Sequence, residues 1–81
     1  MATKNDLRDW VYTAVAESGG KATIVEVAKY IWERHGDELH ASGPLFYTWQ
    51  YDMRWAAQDL RRLGKFASIP ASEKRYWEVK R

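Results

Sequence analysis

The apolar positions of this chain fall into three helical stripes and then two short extended runs. Leu7, Trp10, Val11, Ala14 and Val15 recur at helical spacing. They predict a first helix starting near Asn5 or slightly before, with Thr3 and Asn5 as N-cap candidates. Gly19-Gly20 ends it, because glycine enters the left-handed C-terminal conformation without steric penalty. Lys21 to Thr23 reads as a short extended link. Thr23, followed three residues later by Glu26, forms a capping box that opens a second helix. Ile24, Val27, Ala28 and Ile31 make its buried face, with Trp32 on the edge and Gly36 as the predicted stop. Residues 36–44 read as a loop, or a loop holding one short helical turn, broken at Gly43-Pro44. A third helix runs from about Leu45 to Leu63, and Gly64 closes it.

KFASI and RYWEV follow, separated by PASEK, a turn by its proline, serine and charges. Ile69, Tyr76, Trp77 and Val79 have strand character. Tyr76 and Trp77 point to opposite sides of a strand. Trp77 is expected inside, packed with Phe66 or Ile69 over the third helix. The order helix, link, helix, helix, hairpin is that of a winged helix-turn-helix. The expected fold is therefore α+β, mainly α: three helices plus a C-terminal β-hairpin wing, with the 21–23 link available as a further strand. At 81 residues the chain has room for one small domain, 1–81.

The third helix divides into two faces. At about 100° per residue, Leu45, Trp49, Met53, Ala56, Leu60 and Leu63 share one sector, with Phe46 and Ala57 at its edge. The opposite sector holds Tyr47, Gln50, Tyr51, Arg54, Gln58 and Arg61. Arg54, Gln58 and Arg61 follow i, i+4, i+7 spacing and project together. Asp52 and Asp59 fall on a flank, and Arg62 lies at the other margin beside Tyr51. Such a face suits nucleic acid. Arginine forks onto guanine O6 and N7, glutamine pairs with adenine N6 and N7, and tyrosine reaches phosphates or stacks on bases. The plainer reading is a solvated face, since Arg and Gln are good helix formers.

Charge adds weight to the second half of the chain. The net charge is only +2. Residues 1–44 hold five Lys/Arg against seven Asp/Glu, whereas 45–81 hold eight against four. An anionic partner for the basic half is the implication. Lys65, Lys74 and Arg75 are the expected phosphate contacts. Lys74 and Arg75 sit at or beside the wing tip, where the plainer reading is protection of an exposed strand edge.

Within RWAAQDLRRLGKF, the residues Trp55-Ala56, Leu60, Arg61-Arg62 and Gly64 resemble the end of the winged-helix N-terminal domain of Mrr-type restriction proteins, which act on modified DNA. The likeness continues into ASIPASEKRYWEV, with Trp77 at the family's strand tryptophan. It covers about the last thirty residues and is loose elsewhere. The turn departs from the family's Arg/Gly-rich pattern, and the nuclease domain is absent. The resemblance implies a DNA-binding fold without cleavage.

Other chemistry finds little support. There is no cysteine, which excludes disulfides and thiolate metal sites. His35, Asp37, Glu38 and His40 cluster without HExxH spacing and read as a solvated loop rather than a metal site. The serines lack a nucleophile motif, and Gly19-Gly20-Lys21 lacks the Walker pattern. Trp55 is expected to pack rather than lie exposed. No enzyme activity and no cofactor are expected. The start of the chain has no signal-like core and no stretch reaches membrane-spanning length, so the expectation is cytoplasmic, with no membrane partner. The leading expectation is a domain reading double-stranded DNA with its third helix and wing. The alternative is a winged-helix module that binds protein, because an exposed Tyr/Trp/Arg surface also suits protein interfaces. A weaker option is single-stranded nucleic acid stacked on Tyr47 and Tyr51.

Overall fold

Thr3 begins the ordered helical structure. Its hydroxyl accepts from the Asp6 N–H, while its own N–H donates to the Asp6 carboxylate. In the computed structural model, which describes residues 2–68 and 75–80, this capping box opens α1 (Lys4–Glu17). Leu7, Val11, Ala14 and Val15 are buried as the stripe predicts, and Trp10 is half-buried. Gly19 and Gly20 both have φ near +90° (87° and 94°) and turn the chain out of α1. Lys21–Thr23 is then β1.

The second capping box is formed as expected. Glu26 N–H donates to the Thr23 hydroxyl at 3.1 Å, and Thr23 N–H donates to the Glu26 carboxylate at 2.8 Å. That backbone hydrogen bond to Thr23 holds the Glu26 carboxyl below its ordinary range. The helix it opens does not stop at Gly36. α2 spans Ile24–His40, and only Ala41 to Gly43 separates it from α3 (Pro44–Arg62). The predicted loop over 36–44 is thus mostly helix. The physical reason is tertiary. Leu39 is fully buried, and His35 lies flat on Trp10 of α1 with ring centroids 3.9 Å apart. Those contacts outweigh the helix penalty of one glycine, about 1 kcal/mol. Ser42, buried in the turn, accepts from the Ala2 N–H at 2.9 Å and donates to the Glu38 carbonyl. The turn is thereby tied to the chain's start.

Pro44 opens α3 at its first position, where its missing N–H costs nothing. Leu45, Trp49, Met53, Ala56, Ala57 and Leu60 are buried. Leu63 does not join them. It lies past the last helical residue, half-exposed, where the chain turns at Gly64 (φ 79°). α1 makes its most extensive packing with α3.

β1 pairs antiparallel with β2 (Tyr76–Glu78), in the register Lys21–Glu78, Ala22–Trp77, Thr23–Tyr76. The first run of the expected hairpin meets the second through a bridge between Phe66 and Val79. It is flanked by Ala67 N–H to Glu78 O and Lys80 N–H to Lys65 O. Trp77 is buried, as alternation predicts. Trp77 joins one buried cluster with Phe66 and the α3 residues Trp49, Met53, Ala56 and Leu60, and β2 itself lies near α1. Phe66 packs 6.1 Å from the Tyr12 ring of α1. The layout is a small α+β winged helix, with the 21–23 link serving as a sheet strand. The PASEK turn, Ile69 and Lys74 lie outside the described residues. Among the described residues, no helix is long and apolar enough to cross a membrane.

Candidate nucleic-acid interface

α3 carries two carboxylates, and both are turned toward α1. Asp52 is buried, accepts from the Thr48 hydroxyl at 2.7 Å, and lies 3.9 Å from the Lys4 ammonium. Asp59 is buried and accepts from Arg8 of α1 at 2.6 Å and from Arg62 Nε at 3.1 Å. The Arg8 hydrogen bond first, and the Arg62 one second, hold the Asp59 carboxyl below its ordinary value. A buried carboxylate needs such partners, because charge out of water is costly when unpaired. The consequence lies on the other side of the helix. The exposed arc of α3 keeps Tyr47, Gln50, Tyr51, Arg54 and Gln58, and no carboxylate stands among them.

Tyr47 and Tyr51 are 84% and 76% exposed, far more than packing would leave a tyrosine that had a structural job. The Tyr47 and Phe46 rings meet edge to face, centroids 5.1 Å apart. Gln50, Tyr51 and Arg54 line a shallow groove of about 480 Å³ against Ile24, Val25 and Ala28 of α2. Arg54 makes no ion pair among the described residues.

The remaining predicted site residues divide. Arg61 is half-buried, and its Nε lies inside with no hydrogen-bond partner among the described residues, so only part of this side chain is presented outward. Arg62 is exposed but bound to Asp59, and it borders a small notch with Trp55 and Gln58. Lys65 is exposed, its ammonium 5.7 Å from the Tyr12 ring of α1. Arg75 is exposed. Its carbonyl accepts from Ile24 N–H at 2.9 Å, which puts its backbone at the α2 N-terminus, and Ile24 lines the same groove as Arg54. Lys74 lies outside the described residues.

Trp55 does not pack away as expected. It is 40% exposed, with the Lys4 ammonium 5.8 Å from its ring. The histidines are apart in role: His35 stacks on Trp10 and lies 3.6 Å from Glu38, while His40 meets the edge of Phe46. Among the described residues, no group of three metal-binding side chains forms. Sequence reasoning missed the open seam between α2 and α3, where Val25 is 76% exposed. The helical wheel carries part of the signal, with Val25 outside the stripe of Ile24, Val27, Ala28 and Ile31 and Trp32 on its edge, but not where the neighbouring helix lies. Comparison with protein-family models, with curated proteins and with solved structures found no match to this chain.

Proposed function

We propose that this winged helix is a non-enzymatic cytoplasmic domain that binds double-stranded DNA, with the exposed arc of α3 in the major groove. The observation that carries the reading is the carboxylate-free arc itself. Both acids of α3 are neutralised on the α1 side, so Gln50, Arg54 and Gln58 offer hydrogen-bond donors to base edges with no nearby repulsion of phosphate. Tyr47 and Tyr51 supply backbone or stacking contacts along the same arc. Arg75 and Lys65 serve as phosphate contacts, and Arg61 adds the part of its guanidinium that faces out. Arg62 contributes only once its bond to Asp59 is released, so it ranks below Arg54. The resemblance of about the last thirty residues to the N-terminal domain of Mrr-type restriction proteins points to the same role.

Binding to random duplex DNA tests this. Affinity should fall steeply with salt, because phosphate contacts release counterions. Arg54→Ala should weaken binding by roughly 1–3 kcal/mol with the thermal melt unchanged. Joint replacement of Arg54 and Arg61 should abolish it, with the fold checked by circular dichroism because Arg61 is half-buried. A double variant that folds and binds as well as the parent contradicts the assignment. The second reading, a protein-binding module, is favoured by the apolar seam between α2 and α3, which an electrostatic grip on DNA does not require.

A further inference from the structure

α2 and α3 share a short turn, yet their seam is open along its outer side. Two shallow grooves, about 490 and 480 Å³, have Val25, Ala28 and Gln50 in common and run into one another. Trp32 joins them to a third groove of about 440 Å³ near the α2–α3 turn. Val25 is 76% and Trp32 48% exposed, and the Trp32 ring is held in place by stacking on Trp49 at 6.0 Å. A fixed, half-exposed tryptophan beside an exposed valine is surface that water covers at a cost.

The two ends of the seam differ in net charge. Lys29 and Arg54 line the end near Val25. Glu33 and Asp37 line the end near the turn. Arg34 also borders that end, its guanidinium 4.5 Å over the Tyr30 ring, so two carboxylates there outnumber one cation. None of Lys29, Glu33, Asp37 and Arg54 makes an ion pair among the described residues. Apolar burial alone would accept many partners, so the charges select among them. A two-fold axis across the seam exchanges its ends. The cations of one copy then face the carboxylates of the other, and by symmetry this happens twice.

We propose that the α2–α3 seam is the interface of a homodimer, with α2 antiparallel to α2 of a second copy, Trp32 at the centre and Lys29 facing Glu33 and Asp37 across the axis. The inference stands on the seam and not on the DNA reading. Gln50, Tyr51 and Arg54 line the seam as well as the arc proposed for DNA, so the dimer and the DNA-bound form would be competing states of one surface.

Sedimentation equilibrium of the full chain without DNA tests it. The parent should pass from monomer to dimer as concentration rises, with the midpoint moving upward in high salt. Lys29→Glu should weaken association roughly tenfold or more, since each attraction becomes a repulsion. The double variant Glu33→Lys, Asp37→Lys should do the same. Mixed in equal amounts, the two reversed proteins should form a heterodimer near the parental midpoint, because every cross-axis pair is again opposite in sign. A merely structural defect would not be repaired by mixing. A parent that stays monomeric at every concentration overturns the proposal, including the case in which duplex DNA or a different protein covers the seam. So do reversed variants that associate like the parent, and a mixture that shows no recovery.

Discussion

Asp59 sits between Arg8 and Arg62, and both hold its charged form. Its carboxyl therefore titrates below the ordinary aspartate value of 3.8. Because the folded value is the lower one, the contribution to stability is whole above the ordinary value and is lost as pH falls through the depressed one. Acid should lower the melting temperature across that interval, and Asp59→Asn should flatten this acid arm. A variant with the parental acid arm contradicts the pairing. The Arg62 half of the triad is an i, i+3 spacing, yet the sequence reading puts Arg62 at the other margin from Asp59, which the pairing corrects. The Arg8 half was not legible in sequence, because fifty-one residues separate the partners and only the packing of α1 on α3 joins them. The same blindness affected Gly36. Glycine is the usual stop signal, yet here it is helical, and an added Cβ would meet the Trp32 ring no closer than 3.4 Å, an ordinary contact. Gly36→Ala should accordingly stabilise the fold by about 0.5–1 kcal/mol in denaturant titration.

At the scale of elements, what the sequence states locally came through well. Both capping boxes form, with Thr3 the cap chosen over Asn5, and α3 begins and ends within a residue of the expected bounds. These features depend on side chains three or four residues apart, so neighbouring letters carry them. Thr23→Ala should cost about 1 kcal/mol by thermal or urea unfolding, the usual value of a lost N-cap. Features decided between elements came through less well. α2 gains its last turn from Leu39 burial and the His35–Trp10 stack, and Leu63 loses its place in the core because the chain turns directly after α3. Trp55 and Val25 were similarly hard to place, since which edge of a stripe is covered depends on where the neighbouring helix lies. The exposed arc of α3 was legible for a simple reason. A strong apolar sector fixes its own opposite, and Tyr47, Gln50, Tyr51, Arg54 and Gln58 lie there. Arg61 was not, because its position near the edge of that arc lets part of the side chain slip inward.

At the scale of the molecule, α1 does more than fill the core. It supplies Lys4 and Arg8 to the two carboxylates of α3, and so the acidic first half of the chain lends its cations to the inside of the basic half. The second half is left with an outward arc of tyrosine, glutamine and arginine free of acid. Removing that internal neutralisation without touching the arc should weaken DNA binding indirectly. Arg8→Ala should lower both the melting temperature and the affinity for duplex, whereas Arg54→Ala should lower affinity alone. The most direct test of the central claim is an amide chemical-shift titration of the protein with random duplex DNA, at low and at moderate salt. The account predicts shifts centred on Tyr47, Gln50, Tyr51, Arg54 and Gln58, reaching Arg75, and shrinking as salt rises. Unchanged signals along that arc at low salt, with DNA in excess, would contradict it.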